Sequence, residues 1–480
     1  MKTQWVLFLT FLLFAFTRCS SNSGMDEDPN ENDEGRVAVH VTSLDGSTTL
    51  NELSTKLPFT DRDEGTIVEI SGTDQGPAIE GFGAALTGSS AWLLNKNPEA
   101  IKALFSEEEI GLSYVRLTVG ASDFNKNGSY TYNDINEPED LDLSGFSIEE
   151  DKTTENPVIP IAQAILAQNS AVRFMASPWT PPAWMKSSKS FIGGSLLPQY
   201  YDVYADYFVK YIQAYQAEGI NISAVTPQNE PLYEPATYPG MGMSALEQAD
   251  FIGKHLGPKL VQAGLATNII AYDHNFYEGA DPDYPITVLS NVEAAKHTND
   301  VAYHAYGGQA SDVDKLLDRF PGAGIYFTEQ TGIQTEETTF RGEIVWFMNN
   351  VFVPLLRRGA KTILLWNLAL DENGGPTNDG CKTCRGVVTI TSAGNMVKNP
   401  DYYLLGHFSK FVKPGAVRLG TGEFAGKFEN VAFQNPDGSQ VLVLLNSGST
   451  DQLITVKPGS QGFQYTLPAN SLVTLVWEAV

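Results

Sequence analysis

Between residues 80 and 370, short runs of apolar and β-branched residues alternate with longer segments whose apolar positions recur at helical spacing. Unbroken apolar runs of this kind suit strands buried on both faces, as in a parallel sheet covered by helices. Eight are present, at 79–86, 114–119, 172–177, 222–227, 268–273, 301–306, 324–328 and 362–368. Eight strand–helix units predict an α/β fold, a closed (β/α)8 TIM barrel over residues 76–410. Segments 201–215 and 339–356 predict helices, and their aromatic stripes read as packing faces. Past Pro414 the pattern becomes that of an all-β module over 411–480, with strands at 431–433, 441–445, 453–456 and 472–477. Turns fall at Asn435-Pro436-Asp437-Gly438 and Pro458-Gly459. Two strand-like pieces, 37–41 and 66–70, lie in segment 37–75 before the barrel without a sheet of their own, and are expected to join that module.

Residues 1–36 follow neither pattern. Lys2 precedes a mostly apolar run at 5–16, too short to cross a bilayer, so residues 1–19 read as an export signal. Cys19, followed by Ser20, Ser21, Asn22 and Ser23, resembles the lipidated Cys of bacterial lipoproteins. Residues 20–36 carry Asp26, Glu27, Asp28, Glu31, Asp33 and Glu34 among Ser, Asn, Pro and Gly, and read as a solvated tether. Such a tether resembles surface-export signals of Bacteroidetes lipoproteins. Arg18 stands where that family prefers a small residue, so ordinary signal cleavage remains the alternative. The expected location is the bacterial outer membrane at the cell surface, or otherwise the periplasm or medium.

The formal net charge of -26 argues against nucleic acid, whose binding depends on cationic groups displacing counterions. It leaves a neutral or cationic partner easier to accommodate, and a membrane contact only through a lipid on Cys19. The two remaining cysteines are Cys381 and Cys384. Zinc would need two further ligands, and a thioredoxin-type pair would stand at a helix start. In an exported chain the pair reads as a small disulfide stiffening a loop.

In a barrel of this type chemistry is carried at the C-terminal strand ends. Strand two ends near Arg116 and leads to Asp123, and strand three leads into Pro178-Trp179-Thr180-Pro181-Pro182-Ala183-Trp184. Strand four gives Gln228-Asn229-Glu230-Pro231, strand six His304 and Tyr306, strand seven Thr328-Glu329-Gln330, and strand eight Trp366-Asn367. Glu230 and Glu329 stand three strands apart in a ring of eight and nearly face each other. Cleavage of a glycosidic bond with retention needs two carboxyls about 5 Å apart, one protonated and one ionised. Their proximity would keep one protonated while the other is charged. Glu329 would need donors such as Arg116 or Tyr306 to stay ionised. Asn229 can bond a sugar hydroxyl, and Trp179 and Trp366 can pack against the apolar face of a pyranose. Trp184 fits the site and the core equally well. His304 has no nucleophile or companion ligand at a recognisable spacing, and reads as a hydrogen-bonding wall without a metal.

An ordered set of motifs from about residue 80 to 419 carries a resemblance: Gly81-Phe82-Gly83-Ala84-Ala85, Val119-Gly120-Ala121-Ser122-Asp123-Phe124, Ala176-Ser177-Pro178-Trp179, Gln228-Asn229-Glu230-Pro231, Tyr326-Phe327-Thr328-Glu329, Trp366-Asn367-Leu368-Ala369-Leu370, Gly374-Gly375-Pro376 and Gly406-His407-Phe408-Ser409. With these the chain resembles glycoside hydrolase family 30, which includes glucosylceramidases and β-1,6-glucanases. The resemblance implies retention, no cofactor and no metal, and a β-sandwich built from both chain ends. It implies Glu230 as general acid/base and Glu329 as nucleophile, with Arg116, Asp123, Trp179, Asn229, His304, Tyr306 and Trp366 as the sugar-binding wall. Ala305 departs from the family, which often has Trp between the His and the Tyr. Gly375-Pro376, the Cys381 to Cys384 loop and Arg385-Gly386-Val387-Val388-Thr389-Ile390 are similar to the bacterial endo-β-1,6-glucanases. A glucosylceramidase-like β-glucosidase and a non-catalytic glycan-binding lipoprotein are the alternatives.

Overall fold

The computed structural model describes residues 37–135 and 139–478. The export signal, Cys19 and the acidic tether fall outside the described residues.

All eight apolar runs become strands of one closed parallel barrel: Gly81–Leu86, Tyr114–Thr118, Arg173–Ser177, Ile222–Val225, Asn268–Asn275, Asp300–His304, Gly324–Glu329 and Ala360–Leu365, in that order around the ring. They are called barrel strands one to eight below. Strand one approaches strand two so closely that a Cβ at Gly83 would lie 1.7 Å from the Tyr114 carbonyl oxygen, which explains a glycine inside a strand. The helix Tyr201–Ala217 buries Tyr201, Tyr204, Tyr207, Phe208, Tyr211 and Tyr215, so its aromatic stripe is packing. Segment 339–356 is helical as expected but runs through a π turn, Met348–Phe352, between Phe340–Phe347 and Val353–Arg357. Pro354, which has no N–H to donate, stands just past that turn.

Alternation along the strands divides the barrel interior into layers. Tyr114, Met175, Ala224, Ile270, Ala302, Tyr326 and Leu364 form a separate apolar cluster. Two residues further along their strands come Arg116, Ser177, Thr226, His304, Thr328 and Trp366, a mostly polar layer nearer the C-terminal mouth. Strand five breaks the alternation. Its register with strand six shifts between Tyr272 and His274, and Tyr272 and Asp273 have φ of 74° and 72°. This bulge packs Tyr272 into the outer core and sends Asp273 into the polar layer.

The all-β module has a six-stranded sheet in the order Val417–Leu419, Glu429–Gln434, Gln440–Asn446, Ser471–Trp477, Ala38–Ser43 and Asn51–Glu52. Its second sheet orders Phe463–Leu467, Gln452–Lys457 and Thr66–Glu69. Both pre-barrel pieces therefore join it. Ala38–Ser43 pairs antiparallel with Ser471–Trp477, and Thr66–Glu69 parallel with Gln452–Lys457. Val39, Val68, Leu442, Ile454, Phe463 and Trp477 belong to its own core. The strands Val417–Leu419 and Phe463–Leu467 had no sequence expectation; each is short, and the first is only partly buried.

One histidine fastens the module to the barrel. His407, on the helix Pro400–Ser409, has Nδ1 2.8 Å from Thr474 Oγ1 and Nε2 2.8 Å from Thr42 Oγ1, hydroxyls on strands from opposite ends of the chain. Thr474 donates to the His407 carbonyl, so it accepts from Nδ1, and Nε2 is left to accept. Burial, with a smaller contribution from the charge of His40, pulls His407 down to about 3, and the ring stays neutral. A depressed histidine stabilises the fold fully above its unfolded value of about 6.5 and loses that contribution as pH falls toward the folded value. Thermal unfolding followed from pH 7 to pH 4 should show a smaller drop in Tm for His407→Gln than for the native chain, because glutamine takes up no proton.

Candidate active site

A pocket of about 420 Å³ opens at the C-terminal mouth of the barrel. Asp123, Trp179, Asn229, Glu230, Tyr306, Glu329 and Trp366 all line it, so seven of the nine residues expected at the site meet there. Arg116 and His304, expected in the wall, lie behind it with no exposure and reach the carboxyls instead of the cavity. Arg116 donates from Nη1 to Glu329 Oε2 at 2.5 Å, and from Nη2 to Asn229 Oδ1 at 2.8 Å and Asp273 Oδ2 at 2.9 Å. Tyr306 donates its hydroxyl to Glu329 Oε1 at 3.1 Å. The two donors that the sequence required for Glu329 are therefore both in place.

Glu230 is set by its backbone. The chain turns after strand four, Asn229 N–H donates to Pro178 O, Glu230 N–H donates to Asp273 O at 2.9 Å, and Glu230 itself has φ of 47°. A left-handed glutamate is strained, and the two backbone bonds hold it. His304 completes the placement, with Nδ1 3.1 Å from Glu230 Oε1 and Nε2 3.1 Å from Asp273 Oδ1. Carboxylate oxygens of Glu230 and Glu329 and a ring nitrogen of His304 lie within 4.8 Å of one another.

The floor of the pocket is organised by a residue absent from the sequence expectations. Asp273 accepts from Arg116, from Ser177 Oγ and Thr226 Oγ1 on Oδ2 at 2.7 Å each, and from Thr328 Oγ1 on Oδ1 at 2.7 Å, besides facing His304. Its carboxyl lies well below the usual carboxylate range: burial opposes the charge, but Arg116 and the His304 hydrogen bond outweigh it. The signal was an aspartate closing the apolar run 268–273; alternation continued from Ile270 would point Tyr272 inward, and the bulge turns Asp273 there instead. His274, Asn275, Glu278, Leu232, Tyr233 and Tyr238 also line the pocket and were not anticipated.

Trp179 and Trp366 stack with centroids 5.2 Å apart and planes at 23°, and the Arg116 guanidinium lies 5.0 and 5.6 Å from the two rings. They form one aromatic wall. Trp184 belongs to the core: its indole N–H donates to Asn133 O at 3.1 Å and its ring meets Tyr200 edge-on. Cys381 and Cys384 are joined as a disulfide, and both border the pocket.

Burial opposes a charge on His304, yet the Glu329 charge and the hydrogen bonds to Asp273 and Glu230 raise it to about 9. When protonated, that imidazole donates from both nitrogens, to Glu230 and to Asp273, and can hand a proton to the glutamate. Burial pushes the Glu329 carboxyl up despite His304 and Arg116, with the charges of Glu230 and Asp273 adding to the rise. Burial likewise disfavours the Glu230 anion, but the His304 hydrogen bond overcomes it and draws that carboxyl down.

A buried and a half-buried carboxyl this close across the mouth of a parallel barrel, beside stacked indoles, make the chain a glycoside hydrolase. It belongs to glycoside hydrolase family 30: residues 79–412 match the family's TIM-barrel domain and residues 415–475 its β-sandwich domain. The endo-1,6-β-D-glucanase of Neurospora crassa is 36% identical over 84% of this chain and 85% of its own. The lysosomal acid glucosylceramidase of Mus musculus is 31% identical over 83% of this chain and 81% of its own. The solved structure of the endo-β1,6-glucanase BT3312 superposes with a TM-score of 0.85 at 33% identity, covering 93% of this chain and all of that one.

Asp273→Ala would strand Arg116 and His304 without their shared counter-charge. Breaking a buried pair in this way costs about 3–5 kcal/mol, so urea unfolding should show a loss of that order, and Asp273→Asn, which keeps the shape, a smaller one.

Proposed function

We propose that the protein cuts internal β-1,6 bonds of a linear β-glucan with retention, with Glu329 as nucleophile and Glu230 as general acid/base. The observation that carries the chemistry is the carboxyl pair within 4.8 Å, with Arg116 and Tyr306 both donating to Glu329. The linkage is supported by relatives named endo-1,6-β-glucanases at 36% and 33% identity over most of both chains. The family's glucosylceramidases are the second reading, supported by the mouse enzyme at 31%.

Against the cost of burial, the hydrogen bond from His304 draws the Glu230 carboxyl down, and burial pushes the Glu329 carboxyl up, an order opposite to their roles in the first step. Passing the Nδ1 proton across 3.1 Å to Glu230 supplies the acid that the first step needs, while Glu329 keeps its two donors. Glu329 then attacks the anomeric carbon as Glu230 protonates the departing oxygen, giving a covalent glycosyl-enzyme. Glu230, now ionised, withdraws a proton from water, and the water oxygen displaces Glu329. Trp179 and Trp366 would carry the sugar's apolar face, with Asp123 and Asn229 at its hydroxyls.

The N-terminal reading belongs with this one. A lipid on Cys19 would hold the enzyme at a membrane facing its polymer, and Cys19→Ala should then move the protein from the membrane fraction to the soluble one.

Digestion of β-1,3-, β-1,4- and β-1,6-glucans, with glucosylceramide alongside, should release short gentio-oligosaccharides from the β-1,6 polymer; ceramide release alone, or products only from another linkage, would remove the linkage assignment. With dinitrophenyl β-glucoside, whose leaving group needs no proton, Glu230→Ala should show a burst followed by slow turnover, and azide should speed release and yield a β-glycosyl azide. On glucan the same variant should lose on the order of 10²- to 10⁴-fold for each proton-transfer role removed. Glu329→Gln should be inactive on every substrate, and an α-glycosyl azide from Glu230→Ala would exchange the two roles.

A further inference from the structure

Among the described residues one lysine, Lys186, is fully buried, and it stands at the end of the Pro-rich stretch that follows strand three. Its Nζ donates to Thr180 Oγ1 at 2.8 Å, to Phe191 O at 2.9 Å and to Gly240 O at 2.8 Å. Two of these acceptors are carbonyls, and the Thr180 hydroxyl gives its own proton to Pro181 O at 3.0 Å, so none of the three can donate back. Three such acceptors call for three N–H groups, which an ammonium has and a neutral amine lacks. Burial nevertheless disfavours the charge and pulls Lys186 down to about 7, although the Glu234 carboxylate raises it.

The three acceptors belong to three separate stretches of chain. Thr180 adjoins Trp179, one half of the aromatic wall. Gly240 belongs to the loop 231–243 after strand four, whose Leu232, Tyr233 and Tyr238 line the pocket, and Tyr238 packs against the cluster that holds Trp179 and Trp366. Phe191 stands in the turn between them. Backbone bonds fasten the loop to that turn, Gly240 N–H to Phe191 O at 3.0 Å and Gly242 N–H to Gly194 O at 2.9 Å. Among the described residues no direct hydrogen bond joins residues 178–184 to residues 231–243, and Lys186 is the bridge between them. Pro231, Pro235 and Pro239 stiffen the loop, so a shift at Gly240 is carried on to Tyr238 instead of being absorbed.

We propose that Lys186 is a positioning residue for the sugar pocket: its ammonium clasps the loop bearing Tyr233 and Tyr238 to the segment bearing Trp179, and loss of its proton opens the clasp and weakens substrate binding. The inference rests on the glycosidase reading. Hydrogen bonds from a charged donor are the strong ones, and an acceptor left facing the lone pair of a neutral amine is buried without a partner. The charged side chain that faces Lys186 is Glu234, itself fixed by the Gly194 N–H at 2.7 Å, whereas the turn and the segment after strand three present neutral oxygens. The clasp is therefore complete below about pH 7 and is lost as pH rises through that value.

The test follows KM for an aryl β-glucoside, and amide hydrogen exchange, across the range from about pH 5 to about pH 9 in the full chain. Each is taken as the ratio of Lys186→Met to the native protein, so that titration of Glu230, Glu329 and His304, common to both, cancels. At the acid end kcat/KM of the variant should fall about tenfold, through KM more than kcat, and the Gly240 and Gly242 amides should exchange about tenfold faster. Both ratios should approach one as pH rises through about 7, because the native clasp is then open as well. Thr180→Val keeps the lysine and leaves it two carbonyls, which the two hydrogens of a neutral amine satisfy. Its own rise in KM should come about one pH unit earlier than that of the native chain, and this nearly isosteric variant reads the same limb should Lys186→Met not fold. Equal KM and equal exchange at the acid end would overturn the clasp. Ratios that stay constant across the range, with Thr180→Val rising where the native chain does, would make Lys186 merely structural and overturn the inference. Faster exchange of Gly240 and Gly242 in Lys186→Met, in chains that cleave no glucoside, would count against the hydrolase reading alone.

Discussion

A single fully buried carboxylate, Asp273, holds the working parts of the barrel in register. It touches side chains from strands two, three, four, six and seven, and its own backbone carbonyl receives the Glu230 N–H. Arg116 runs from it to one glutamate and His304 runs from it to the other, so the distance between the two facing carboxyls is set through one fully buried anion. Buried charges are costly unless paired and hydrogen-bonded. Here each charge is compensated by its neighbours, and the cluster makes sense only as a whole.

Such a cluster also explains why the upper layer of the barrel is polar at all. The layer beneath it is filled by Tyr114, Met175, Tyr326 and their neighbours, which close the barrel as a packed core. Above it, the hydroxyls of Ser177, Thr226 and Thr328 converge on Asp273 and leave it no flexibility to relax toward Arg116 or His304 alone. The stacked Trp179 and Trp366 cover Arg116 from the solvent side and strengthen its field at Glu329 by excluding water.

The sequence made the barrel legible because each strand is a mostly apolar run, and it brought the two facing glutamates together because Glu329 directly follows one such run and Glu230 stands three residues past another. Where the reading failed, regular periodicity had been interrupted. Strand five carries a bulge, and only that bulge turns Asp273, the residue on which the site depends, into the polar layer. Arg116 and His304 were rightly brought to the site but assigned to its surface, since alternation tells which way a side chain points and not how far below the mouth it ends. Trp184 was undecidable from a Pro-rich loop, and only its bond to Asn133 O places it in the core. Loop residues such as Tyr233, Tyr238 and Glu278 reach the pocket through turns that follow no period, and no pattern announced them.

The pairing of Ala38–Ser43 with Ser471–Trp477 carries a consequence for how the molecule is made. Apart from the two-residue Asn51–Glu52, the first described strand of the side module finds its partner only in Ser471–Trp477, so one of its edges stays unpaired until residues 471–477 have been synthesised. Closing a loop of that size from a disordered chain is slow, but the intervening barrel, once folded, delivers the two ends to the same place. The barrel therefore acts as the template for the sandwich, and loss of the final strand would leave Ala38–Ser43 and Gln440–Asn446 as open edges available to a neighbouring molecule.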